Sequence, residues 1–203
     1  MDAVTSLDQQ LRFLLEADQL KGVLRQSPLA DRSRRENSAE HSWHVALMAV
    51  VLAGHAPPGT DLGRVIAMLL LHDLVEIDAG DLSVYADEAA QARQATAEAA
   101  AARRLFGLLP PGQATQLRAL WEEFEQRRTP EARFARALDR LQPMLVNYHV
   151  GGGTWRAPGI TAPQVLAKAD LVADGSATLG EYARALIARA VEHGYLAAGG
   201  SPG

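Results

Sequence analysis

Val65-Ile66-Ala67-Met68-Leu69-Leu70-Leu71-His72-Asp73-Leu74-Val75 carries the reading of this chain. A stretch this apolar belongs in a protein core, yet it runs into a histidine and an aspartate. An ionised carboxylate in such surroundings is costly unless it is paired or bound to a metal. Histidine is the commonest metal ligand, and here it stands directly beside the carboxylate. The dipeptide His72-Asp73 therefore asks for a cation. Glu76 follows His72 by four positions and Asp73 by three, so on a helix all three side chains reach one region.

Working outward, Thr60-Asp61 starts the helix that carries the run. Upstream, Asn37-Ser38-Ala39-Glu40 caps a helix extending to about Gly54, which stops before Pro57-Pro58-Gly59. His41 and His44 lie three apart on one side of that helix, so either is a candidate ligand. Downstream, Thr129-Pro130-Glu131 opens another helix with a cap, a proline in the first turn and an acid at the positive end of the dipole. It carries Asp139 among apolar neighbours, with Arg136 and Arg140 placed to form an ion pair instead.

The rest of the chain also reads as helices joined by short loops. Ser6-Leu7-Asp8-Gln9 resembles a capping box opening a helix to about Leu20. Glu88 to Leu105 is rich in Ala, Gln and Arg, all good helix formers. Further helices are expected over Gln113 to Arg127 and, as one or two pieces, from Thr161 to about Gly194. Asp31 to Glu36 and Asp78 to Ser83 read as polar loops. Gly151-Gly152-Gly153 reads as a flexible loop that lacks the Lys-Ser/Thr of a phosphate loop. Alternating strand patterns are scarce.

Composition narrows the classes. A chain of 203 residues, 48% hydrophobic and 22% charged, is enough for one compact domain with a sizeable core. A net charge of -4 argues against a broad basic surface for polymeric nucleic acid. The absence of cysteine rules out disulfides, thiolate metal sites and a cysteine nucleophile, and fits a cytoplasmic setting. Met1-Asp2-Ala3-Val4-Thr5 lacks a signal pattern, and no apolar stretch approaches the ~18–20 residues that cross a bilayer, so no membrane partner is expected.

The order His…His-Asp…Asp resembles the HD superfamily of metal-dependent phosphohydrolases. More narrowly, Arg35-Glu36-Asn37-Ser38 before Glu40-His41-Ser42, His72-Asp73-x-x-Glu76, and Gly80-Asp81-Leu82 resemble the HD-domain 5'-deoxynucleotidases. Leu120-Trp121-Glu122-Glu123-Phe124-Glu125 and Ala132-x-Phe134-x-x-Ala137-Leu138-Asp139 are similar to the eukaryotic branch of that family. The similarity spans roughly Leu11 to Tyr148. It implies an all-α fold: a single HD-domain helical bundle over residues 1–196, with the metal site between core helices. A disordered C-terminal tail is expected over 197–203.

The same resemblance implies a site. His41, His72, Asp73 and Asp139 would hold one divalent cation. That donor set favours Mn²⁺ or Co²⁺ and is compatible with Fe²⁺, Zn²⁺, Ni²⁺ or Mg²⁺. A metal-activated water would remove the 5'-phosphate of a (deoxy)nucleoside monophosphate. Glu76 would handle a proton. Arg25 would clamp the phosphate, with Arg35 as second candidate, and Gln26 stands where the family has an aromatic residue. Asp81 and Ser83 would contact the sugar. The family also implies a homodimer. Two other readings fit the same residues: a phosphohydrolase acting on another small phosphate ester or nucleotide, and a non-catalytic metal-binding scaffold.

Overall fold

The computed structural model describes residues 3–199. Its architecture is all-α apart from one small ribbon. The helices are α1 (Ala3–Ala17), α2 (Ser38–Val51), α3 (Leu62–Leu71), α4 (Glu76–Ala79), α5 (Glu88–Phe106), α6 (Pro111–Gln126), α7 (Pro130–His149), α8 (Ala162–Gly175) and α9 (Ala177–Glu192). The ribbon pairs β1 (Leu24–Pro28) antiparallel with β2 (Arg35–Asn37).

Local signals explain most boundaries. Asn37 and Glu40 form the expected capping box at the start of α2, each side chain bonded to the other's backbone N–H. Thr129 caps α7 through the Ala132 amide, with Pro130 in its first turn. The C-terminal stretch is two helices, because Ser176 leaves the helical conformation and caps α9. Three elements differ from expectation. Asp78 and Ala79, expected in a loop, belong to α4. Helix α1 begins at Ala3, upstream of Ser6-Leu7-Asp8-Gln9, so that tetrapeptide lies inside the helix. The expected loop at Asp31 to Glu36 contributes Arg35 and Glu36 to β2. A ribbon this short, half exposed, carries no long alternating pattern to announce it.

Helix α7 runs through the middle and packs against α2, α3, α6, α8 and α9. Two apolar clusters result. The larger gathers Val45, Met68, Leu69, Phe134, Leu138, Leu141, Trp155 and Val172. The smaller gathers Phe13, Leu74, Val75, Leu105, Phe106 and Trp121. Each fully buried Leu or Phe contributes roughly 1.5–3 kcal/mol relative to exposure. The opening run supplies both clusters. It changes sides at His72, where the helix tightens into a 3₁₀ turn over His72–Val75. Met68 and Leu69 face one core, Leu74 and Val75 the other, and His72-Asp73 lie at the seam.

Gly151-Gly152-Gly153 is a hydrogen-bonded turn, not a free loop. The Asn147 carboxamide accepts from the Thr154 amide at 3.0 Å and donates to Thr154 Oγ1 at 2.8 Å. The expected tail has an anchored first residue: Ala197 pairs with Thr161 in a parallel bridge, and its carbonyl accepts from the Ala162 amide at 2.8 Å. Residues 200–203 of that tail lie outside the described residues. Among the described residues no helix is long and apolar enough to cross a membrane.

Candidate metal centre

Three elements deliver the histidines and aspartates. The capping box fixes the first turn of α2, which carries His41, fully buried. The 3₁₀ turn carries His72 and Asp73. The middle of α7 carries Asp139. His41, His72 and Asp73 each offer a ligand atom within 4.8 Å of the others. Asp139 Oδ1 stands 3.0 Å from His41 Nε2 and 3.6 Å from His72 Nε2. Residues up to 98 positions apart in the sequence meet here. His44 does not: its ring contacts Gln142 Nε2 at 3.2 Å, away from the cluster.

The hydrogen bonds orient the donors. His72 Nδ1 faces the Leu69 carbonyl at 2.8 Å, which assigns it the ring hydrogen and leaves a lone pair on Nε2. His41 Nδ1 faces Gln142 Oε1 at 3.3 Å and Glu36 Oε2 at 3.6 Å, with the same consequence. His72 Nε2 is buried and has no hydrogen-bond partner, although Asp73 Oδ1 is 3.0 Å away. With both imidazoles neutral, their Nε2 lone pairs converge with the carboxylate oxygens on one point. Such a donor set fits a cation with nitrogen and oxygen ligands.

The electrostatics set a proton on His72 in competition with a cation for that point. Burial opposes charge on His72, but Asp73 and Asp139 outweigh it and push the imidazole up to about 10. Burial likewise opposes ionisation of Asp73, yet His72 and Arg25 hold it below the usual carboxylate range. Asp139 is held low against burial by Arg140, His41 and His72. The site wants positive charge between its carboxylates.

The other candidate residues lie around this cluster, apart from Arg35. Glu76 opens α4 and accepts a 2.5 Å hydrogen bond from Ser38 Oγ. Burial, then Asp73, push its carboxyl up to about 9. Arg25 extends from β1 and places Nη1 3.0 Å from Asp73 Oδ2 and 3.9 Å from Asp81 Oδ1. Gly80 ends α4 at a φ of 74°, a conformation glycine adopts without strain, and so turns Asp81 toward Arg25. Ser83 lines the cavity beside Asp81. Arg35 goes elsewhere: its guanidinium donates to the Leu24 and Arg25 carbonyls, bracing the ribbon. Both arginines near Asp139 pair with its other oxygen, Arg136 at 3.3 Å and Arg140 at 3.7 Å. The ion pair and the cluster therefore coexist, one on each carboxylate oxygen.

Two cavities adjoin. One, about 420 Å³, is the carboxylate cleft, lined by His72, Asp73, Glu76, Arg136 and Asp139. The other, about 280 Å³, is an apolar chamber walled by Tyr85, Pro143, Met144, Trp155 and Ile160. They share Arg25, Asp81, Ser83, Arg140 and Lys168. Burial, with Arg140 and Arg127 nearby, lowers the Lys168 pKa.

Gln142, Lys168, Tyr85 and Trp155 carried no sequence signal that led to the site, and Glu36 stood within the Arg35-Glu36-Asn37-Ser38 motif without a role. Glu36 is buried, accepts from Gln142 Nε2 at 2.9 Å and lies 3.6 Å from Arg25 Nε. Its place between Arg35 and Asn37 in a cap is the one hint the sequence held.

Comparisons with known proteins come from three directions. The HD domain family matches residues 17–179. The 5'-deoxynucleotidase HDDC2 of Danio rerio is 29% identical over 144 residues, 70% of either chain. Its Xenopus laevis counterpart is 32% identical over 136 residues, 66% of either chain. A crystal structure from Magnetospirillum magnetotacticum MS-1, described as a predicted metal-dependent phosphohydrolase, superposes with a TM-score of 0.91 at 53% identity. That match covers 95% of this chain and 96% of the other.

Proposed function

The chain belongs to the HD-domain family, and from that premise we propose that it is a metal-dependent phosphohydrolase that removes the 5'-phosphate of (deoxy)nucleoside monophosphates. One observation carries this reading. A buried cluster of imidazole nitrogens and carboxylate oxygens, with His72 Nε2 unpartnered, opens beside Arg25, Asp81 and an apolar chamber large enough for a base. The names of the HDDC2 relatives support the nucleotide class, and that of the bacterial structure supports the metal-dependent reaction.

His41, His72, Asp73 and Asp139 would hold a divalent cation, with Mn²⁺ or Co²⁺ favoured by the mixed imidazole and carboxylate donors. Bound there, it would offset phosphate charge and lower the pKa of water toward neutrality. The chain's own residues do the rest by position and charge. Arg25 binds the phosphate with a guanidinium already oriented by Asp73 and Asp81. Glu76, fixed by Ser38, gives or takes the proton at the scissile oxygen or the attacking water. Asp81 accepts from the sugar 3'-hydroxyl, and Ser83 supports it. Tyr85 and Trp155 supply the flat apolar wall that Gln26 does not.

The test is phosphate release from dAMP, dGMP, dCMP, TMP and the matching ribonucleotides with Mn²⁺ or Co²⁺. Release should stop on chelation and return with the metal. If every nucleotide stays intact, the nucleotidase reading is wrong.

A further inference from the structure

The wall shared by the two cavities has four charged members: Arg25, Asp81, Arg140 and Lys168. Three are cations and one is an acid. Their counter-charges are distributed unevenly. Arg25 has Asp73, Glu36 and Asp81 within 3.9 Å. Arg140 pairs with the outer oxygen of Asp139, at 3.7 Å, and Arg136 donates a hydrogen bond to that same oxygen. Its Nε is buried without a hydrogen-bond partner. Lys168, half-buried on α8, forms no ion pair among the described residues, and burial together with Arg140 and Arg127 opposes its charge.

A single phosphate at the metal cluster would be served by Arg25. It would leave Lys168 without a counter-ion and Arg140 sharing one oxygen of Asp139 with Arg136, an arrangement that costs stability. A second anion at the junction removes that cost. Arg offers a planar fork and Lys a point charge, the usual pair of donors for phosphate oxygens.

We propose that Arg140 and Lys168 form a subsite for a second phosphate on the substrate, at the junction of the carboxylate cleft and the apolar chamber. This rests on the cleft being a phosphohydrolase site. The subsite extends the proposed substrate class from monophosphates to nucleotides with two phosphate groups, the second carried either on the first or on another sugar hydroxyl.

Calorimetry of the metal-loaded protein with pyrophosphate and with inorganic phosphate tests the subsite without turnover. Pyrophosphate should bind at least about tenfold tighter, the worth of one charge-assisted hydrogen bond. Lys168→Gln should close most of that gap, and Lys168→Arg should keep it. A thermal melt checks that both variants are folded. Kinetics with dAMP, dADP and 2'-deoxyadenosine 3',5'-bisphosphate then identify the source of the second phosphate. Lys168→Gln should raise KM for the preferred two-phosphate nucleotide about tenfold more than for dAMP. Equal binding of the two anions by the wild type, or equal weakening of both by Lys168→Gln, overturns the subsite. Efficient dAMP turnover with no binding gap would leave the monophosphate reading intact and remove only this inference. A binding gap without any nucleotide turnover would do the reverse.

Discussion

Helix α7 has two unlike faces. Toward α8 and α9 it presents Ala137, Leu138 and Leu141, sealed against Val165, Ala169 and Val172 with no room to spare. A Cβ added at Gly175 would meet Ala137 Cβ at 2.7 Å and collide with the Arg133 carbonyl. Toward the cleft the same helix presents Arg136, Asp139 and Arg140, crowded charges in which both arginine Nε atoms are unpartnered. One face is complete by itself and the other is complete only with a ligand. Stability is concentrated in the first face and chemistry in the second, where local rules are broken for a purpose.

The sharpest way to break that contrast is Asp73→Ala. It should abolish metal retention, read by elemental analysis, and phosphate release together, while the metal-free protein stays folded by circular dichroism. Retained turnover would mean the ligands are elsewhere. Glu76→Gln keeps the shape and the Ser38 contact but removes an ionisable proton. It should lower kcat by about 10²–10⁴-fold with metal content unchanged. A normal kcat would reduce Glu76 to a structural role.

On the sealed face, Gly175→Ala should cost roughly 1–3 kcal/mol through overpacking, seen as a lower Tm, while activity per folded molecule persists. If activity falls but Tm does not, the two faces are coupled more tightly than their packing indicates. The smallest effect belongs to the surface. Arg104 bridges Asp78 and Glu16 at 2.6 Å each, but its side chain is 43% exposed. Arg104→Ala should change stability by less than ~1 kcal/mol in a denaturant titration.

Much of the site was legible in order along the chain. His72-Asp73 declared itself because an apolar run cannot end on two buried polar groups without a reason. Asn37 and Glu40 marked the turn that fixes His41, and Thr129-Pro130 marked the helix that carries Asp139. The β1–β2 ribbon was not legible, because five residues and three residues with one exposed face leave no periodic trace. Arg25 was identified by resemblance, but its setting on a strand was not. Lys168, Tyr85 and Trp155 were silent, since each looks like an ordinary helix or loop residue until distant elements enclose it.

By itself, the sequence determined the helical class, the capped starts of α2 and α7, and the chemistry of the groups that must be buried, because caps and apolar periodicity act over a few residues. The tertiary structure alone decided the rest. It placed the 3₁₀ turn between two cores, divided Asp139 between histidines and arginines, and set a cationic wall between a charged cleft and an apolar chamber. Those outcomes depend on which faces pack together across more than a hundred residues of chain, and that is settled only when the whole core closes.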